Sequence, residues 1–172
     1  MNVLDQFSIP VSGLRYGLHE YDFQVEKDFF EAFEATTIKK GVVKVQFSLD
    51  KREDMYVLLF SLNGKVEVNC DRCLDFFELP IESEESLLVK FDEKEWEDAD
   101  VIYIIKGTQV MNVSKYIYEF IHLAVPMTKT HDDAGGSCNP EMLKYLSDSE
   151  EEEKPSTSNP FKDALKGLNF EN

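Results

Sequence analysis

Chemistry in this sequence is most concentrated at Cys70-Asp71-Arg72-Cys73-Leu74, where two thiols stand two residues apart at the end of an alternating apolar run. Such a pair can share one soft metal ion, cycle between dithiol and disulfide, or lie buried in a tight turn. Thioredoxin-like redox chemistry expects the pair between a strand and a helix inside a β-α-β pattern, whereas strands are read here on both sides. A structural zinc site needs four ligands. Cys138 is the remaining cysteine, and His131 precedes it in the same glycine-containing loop. Cys70, Cys73, His131 and Cys138 are therefore the candidate zinc set, with Asp132 or Asp133 able to substitute for the histidine. The stretch from Cys73 to His131 is long, and the His131–Cys138 spacing is not that of a tight finger. On spacing, unliganded cysteines at a strand turn are the preferred reading and zinc the alternative.

The other residues with chemical potential give less. His122 falls within a helical pattern and reads as a helix-surface residue; His19 sits at a strand start beside Glu20. No Gly-x-Ser-x-Gly elbow, phosphate-binding Gly-x-x-x-x-Gly-Lys loop or dinucleotide fingerprint occurs. With 34 acids in the chain, adjacent carboxylates carry little information. No active site is legible, and the expectation is a protein that is not an enzyme. For RNA, the candidate contacts are Lys39, Lys40, Lys44, the turn Lys51-Arg52, and Arg72, with Phe76 and Phe77 as stacking faces for unpaired bases. Arg72, Lys51, Arg52, Phe76 and Phe77 form the candidate partner-binding set. The plainer reading of each is a solvated turn residue or a core phenylalanine.

The elements that must position these residues can be read from hydrophobic period. Residues 17–25 end in an alternating strand pattern, and Phe29, Phe30 and Phe33 follow an acidic first turn as a short amphipathic helix. Val43, Val45, Phe47 and Leu49 alternate with polar residues. Residues 55–62 form a second strand, Asn63-Gly64 is a hairpin turn signal, and Val66, Val68 and Cys70 begin another strand. Residues 76–81 and 87–91 read as two further strands, residues 92–100 as an acidic loop holding Trp96, and residues 101–105 as a short apolar run. Val113, Tyr116, Ile117, Phe120, Ile121 and Ala124 give the strongest helical period, with Asn112 as N-cap and Pro126 as stop. Proline at its first position opens a short helix over 140–146.

Composition bounds the rest. The 172 residues suit one domain plus tails, and 42% hydrophobic content with 13 Phe and 7 Tyr supplies a core. No apolar run reaches the ~18 residues of a membrane-spanning helix. No secretory signal opens the chain, and three cysteines do not make a disulfide framework, so the cytoplasm is the expected compartment. Thirty-four acids against 18 bases give a net charge of −16. Lys and Arg neutralising phosphates supply most non-specific nucleic-acid affinity, so RNA contact is expected to be local or made through a basic partner protein. Four glutamates, Glu150 to Glu153, followed by Pro155, Ser156, Thr157 and Ser158 make residues 147–158 an acidic disordered linker. Asn159-Pro160 then opens a terminal docking helix within 159–172, with Phe161, Leu165 and Leu168 on one side.

The stretch Gly64-Lys65-Val66-Glu67-Val68-Asn69-Cys70-Asp71-Arg72-Cys73-Leu74 closely resembles the core motif of the YceD family. In that family a glycine precedes a strand ending in Cys-x-Arg-Cys-Leu. The likeness continues through the apolar helix before Pro126, the loop bearing a cysteine, and Asn159-Pro160-Phe161. The resemblance implies a role in the accumulation of large-subunit ribosomal RNA, with no enzymatic activity assigned. Many family members look as if they carry a second cysteine pair near the C-terminus, completing a four-cysteine zinc site. Here Cys138 stands alone, followed by Asn139-Pro140-Glu141, which leaves His131 or an aspartate to take the vacant position.

The expected architecture is an α+β domain over 1–146. It is a twisted antiparallel sheet, curled toward a partial barrel and covered by one long amphipathic helix over 112–124, with short C-terminal helices. The expected role is a binding module for a ribosomal RNA precursor or a basic ribosomal protein, with no membrane and no small-molecule substrate. The alternatives are a zinc-dependent structural adaptor or an RNA-processing nuclease.

Overall fold

In a computed structural model, residues 3–33, 37–98 and 100–147 are described. The expected acidic linker and terminal helix fall outside these residues, apart from Ser147, which ends a helix.

Alternating apolar residues generate the main sheet, because a period of two sends every second side chain to one face. Five strands carry most of it: β2 (Gly17–Val25), β3 (Gly41–Lys51), β4 (Met55–Asn69), β5 (Phe76–Asp92) and β7 (Val101–Ile105), with the short β6 (Trp96–Asp98) at one edge. The order is β2-β3-β4-β5-β7-β6. A second, two-stranded sheet pairs β1 (Ser8–Ile9) with β8 (Met111–Asn112).

Three expectations need correction. First, the sheet is mixed rather than antiparallel: β7 runs parallel to β5, with Leu88 opposite Val101. The acidic segment after β5 forms β6 at the edge, where Trp96 stacks on Tyr103 with centroids 3.9 Å apart. The chain then turns back between β6 and β5, so β7 is laid down in the direction of β5. Second, the sheet does not close; β2 and β6 are its two edges. Third, no single long helix stands among the described residues: after the five-residue α1 (Lys27–Glu31), the helices of seven residues or more there are α2 (Ser114–Ala124) and α3 (Pro140–Ser147). Asn112 belongs to β8, although its Oδ1 still accepts the Ser114 N–H at 2.9 Å, as a capping residue would.

Strand boundaries also differ. β4 runs through Asn63-Gly64 without turning, and the polar stretch 82–86 continues β5 rather than interrupting it. A glycine inside a strand marks close backbone approach as often as a turn. A Cβ at Gly64 would meet the Val42 carbonyl oxygen at 2.2 Å and Val43 Cα at 2.6 Å. Glycine is required there by the neighbouring strand.

The core lies between the inner sheet face, α2 and the N-terminal segment. Rings run in contact through it: Phe7 on Phe23, Phe23 on Phe47, Phe47 on Phe60, and Phe60 on Phe120 of α2 at 5.1 Å. Ile117 and Ile121 bury the rest of the helix face. Phe7, Ile9 and Val11 are fully buried as well. Only Ser8–Ile9 of this segment is a strand; Phe7 and Val11 stand in the 3-10 turns on either side of it. Cys70, Cys73 and Cys138 form a second small core with Met142 and Leu143, and Phe77 packs against both this core and the main one.

Candidate metal centre

The four candidate zinc ligands come together although three separate segments carry them. One ligand atom from each of Cys70, Cys73, His131 and Cys138 lies within 4.8 Å of every other. Cys70 Sγ is 3.6 Å from Cys138 Sγ, and Cys73 Sγ is 3.4 Å from His131 Nδ1. A tetrahedron with zinc–sulfur bonds near 2.3 Å and zinc–nitrogen bonds near 2.0–2.1 Å has edges of about 3.8 Å and about 3.6 Å. The two closest contacts thus approximate tetrahedral edges, and the donor set is the soft thiolate and imidazole mixture that zinc favours. The three thiols are unbridged and buried.

Each segment reaches this point for a local reason. β4 delivers Cys70, and the chain reverses through residues 70–75: the Leu74 N–H donates to the Cys70 carbonyl and the Cys70 N–H to the Asp75 carbonyl, both at 2.9 Å. The Arg72 N–H points at Cys70 Sγ at 3.4 Å. The turn requires Leu74 to adopt φ 63°, a left-handed conformation that costs an L-residue with a Cβ roughly 1–2 kcal/mol. Leu74 is nevertheless 64% exposed. Leu74→Gly is accordingly expected to leave stability unchanged within about 1 kcal/mol, the relief of strain offsetting the greater freedom of the unfolded chain. Urea titration of the two proteins measures this directly.

His131 is presented by a short 3-10 turn, His131–Ala134. Thr130 and Asp133 cap it reciprocally: the Thr130 N–H donates to Asp133 Oδ2 at 2.7 Å and the Thr130 side chain accepts the Asp133 N–H. Gly135, at φ 71°, closes the turn. The Phe77 ring packs on the imidazole with centroids 4.7 Å apart, which fixes its plane. Cys138 precedes α3, whose Met142 and Leu143 cover the cluster.

The two residues between the paired cysteines fasten the turn to the histidine loop. Asp71 accepts the Lys129 N–H at 2.7 Å and the Lys129 ammonium at 3.3 Å, while its own N–H donates to the Lys129 carbonyl at 2.9 Å. The Lys129 N–H, chiefly, holds the Asp71 carboxyl below its ordinary range. Arg72 donates to Asp132 Oδ2 at 2.7 Å. Asp132 is therefore paired with the arginine and Asp133 with the cap, which leaves His131 as the fourth member of the cluster.

Electrostatics distinguish the thiols. Burial alone would push the Cys70 thiol up, but the N–H groups of Cys73 and Arg72, with His131, outweigh it and bring it down to about 6. Burial, joined by the neighbouring Cys70, pushes Cys138 up. A thiolate is thus favoured at Cys70, the form a metal binds.

The candidate partner-binding residues are scattered. Lys51 donates to the carbonyls of Val11 and Leu14 at 2.8 and 2.9 Å and faces the Tyr16 and Tyr56 rings. Arg52 pairs with Asp50 at 2.8 Å. Phe77 belongs to the cysteine core, and Phe76 is 63% exposed. Of the other candidate cations, Lys40 pairs with Glu67.

A family model described as large ribosomal RNA subunit accumulation protein YceD matches residues 58–169, well over half the chain. The chain belongs to the YceD family. Neither the curated proteins nor the solved structures contain a significant match. The YceD match begins in β4 and so spans the whole cluster, from Cys70 to Cys138, together with α2. The YceD description ties the family to accumulation of large-subunit ribosomal RNA. None of the described helices is long and apolar enough to cross a membrane.

Proposed function

We propose that this chain is a non-enzymatic, zinc-stapled binding module that supports large-subunit ribosomal RNA accumulation by engaging an early, basic ribosomal protein. The observation that carries the reading is the convergence of Cys70, Cys73, His131 and Cys138. Four protein ligands leave no position open to a substrate, which is the pattern of structural rather than catalytic zinc. Zinc, when bound, supplies a cross-link between the β4–β5 tip and the loop before α3. Arg72 and Asp71 hold those two segments in register from outside the cluster. A net charge of −16 opposes phosphate and favours a basic protein, whose encounter it accelerates. RNA contact is then local or carried by that protein.

Metal analysis of protein purified without chelator tests the first part: one zinc per chain is expected, and zinc-free protein that is fully folded would sink the staple. Affinity purification from cells, with and without RNase, tests the second. A basic ribosomal protein retained after RNase is the expected result; RNA binding that survives high salt, or magnesium-dependent cleavage of RNA, contradicts the reading. Arg72→Ala separates support from recognition. Its ion pair with Asp132 is half exposed and screened by solvent, so the stability loss should be small. Large-subunit RNA in cells carrying only that variant should fall part-way, with small-subunit RNA less affected; full restoration would make Arg72 a structural residue alone.

A further inference from the structure

β2 forms a long open edge of the sheet. β2 pairs through all nine residues with β3, from Gly17 opposite Lys51 to Val25 opposite Val43, with no bulge. Among the described residues it has no partner strand on its other side. An edge strand presents alternate N–H and C=O groups outward, and proteins ordinarily blunt such an edge with lysine, proline, a bulge or shortness. On the opposite side β6 is three residues long, and residues 76–87 of β5, which pair only with β4, carry Pro80. β2 has no proline, no bulge and nine residues of length, and its charged side chains are the acidic Glu20 and Asp22, with no lysine or arginine.

Side chains flanking this edge differ by face. Glu20 and Asp22 are exposed on one face, with Leu18 and Gln24. On the other, His19, Tyr21 and Phe23 are half-buried. The Tyr21 and Phe23 rings lie parallel, 6.3 Å apart, and both pack against Phe47. A strand added here would meet carboxylates along one face and aromatic rings along the other. We propose that the free edge of β2 receives an extended segment of the partner, alternating basic and apolar residues, as an additional antiparallel or parallel strand. The inference rests on the reading of a basic protein partner and assigns its docking site.

A second copy of this chain fits the edge poorly. Antiparallel pairing of two β2 strands centred on Tyr21 sets Glu20 opposite Asp22 twice. Sliding the register by one step of the pleat sets Glu20 opposite Glu20, or Asp22 opposite Asp22. Like charges directly opposite each other destabilise a pair. Lysine or arginine at those positions reverses the sign, while main-chain hydrogen bonds supply affinity that does not depend on sequence.

A fluorescent synthetic peptide alternating lysine and valine, added to the full-length protein, provides the probe. Saturable binding is expected, and amide exchange of β2 should slow about ten-fold when the peptide is bound. The same peptide N-methylated on adjacent amides, which blocks both of its edges, keeps its charge but cannot pair, so its affinity should fall about ten-fold or more. E20K/D22K should weaken the unmethylated peptide by a similar factor. Equal binding of the two peptides, or unchanged β2 exchange, would overturn the proposal in favour of diffuse charge attraction. A doubled mass in light scattering that E20K/D22K abolishes would assign the edge to a second copy. Binding seen only after removal of residues 148–172 would assign it to the chain's own tail. The peptide assay needs neither cells nor RNA. If it fails while a basic protein still co-purifies from cells, the docking site is wrong and the functional reading stands.

Discussion

Stripping zinc from the purified protein with a strong chelator should release the tip of the molecule and leave the sheet intact. Amides in residues 70–75 and 129–143 are expected to lose protection about a hundred-fold, equivalent to about 3 kcal/mol of local stability. Those in β3 and the centre of β4 should change little. The division follows from the two cores, which meet at Phe77. The main core holds the packed rings from Phe7 to Phe120 and needs no metal. The tip has only Cys70, Cys73, Cys138, Phe77, Met142 and Leu143 to bury. Its other ties to the histidine loop are the partly exposed ion pairs Asp71–Lys129 and Arg72–Asp132, worth little each, and the hydrogen bonds that the main-chain N–H groups of Asp71 and Lys129 donate across the gap. Structural zinc in small domains contributes about 10–16 kcal/mol of apparent binding free energy, more than enough to organise such a tip. Cys138→Ser should reproduce the loss without chelator, because the thiolate it removes is one of four ligands. Hydrogen exchange resolved by residue decides the matter: uniform protection in the stripped protein would show that the tip folds unaided.

Replacing Gly64 by alanine should cost about 3 kcal/mol, toward the upper end for overpacking a well-packed site. The added methyl would face the Val42 carbonyl oxygen and Val43 Cα, backbone atoms that no rotamer change can move aside. β3 and β4 must separate locally, and both lie inside the sheet with partners on their other sides. Gly13 is the control: a Cβ there meets nothing within 4 Å, so Gly13→Ala should change stability by less than about 1 kcal/mol. Urea unfolding of both variants makes the comparison, and a small effect at Gly64 would mean that the strands can part freely. The family-like motif beginning Gly64 and ending Cys70-Asp71-Arg72-Cys73-Leu74 then has a physical basis at both ends. Its glycine permits the approach of β3, and its last residues form the turn that presents two thiols.

Several features were legible without any structure. Alternation over residues 17–25 and 43–49 located strands correctly, because burial of one sheet face imposes a period of two, whereas residues 101–105 read only as a short apolar run. The apolar spacing of Val113, Ile117, Phe120 and Ile121 identified α2 and its buried face for the corresponding helical reason. Residue chemistry alone was enough to nominate Cys70, Cys73, His131 and Cys138, since few side chains suit zinc. Sequence spacing, however, pointed away from that set, because spacing rules describe ligands held within one local unit. The return of the chain through β5, β7 and α2 is what sets His131 and Cys138 beside the strand-end cysteines. Choosing His131 over Asp132 and Asp133 was likewise a tertiary decision, made by Arg72 and Thr130, which occupy the two carboxylates. Asn63-Gly64 read as a turn because the same dipeptide serves turns and close strand contacts, and only the proximity of Val42 and Val43 distinguishes them. The parallel β5–β7 pair and the open β2 edge were invisible for a related reason: alternation states which face a residue occupies, but not which strand lies beside it.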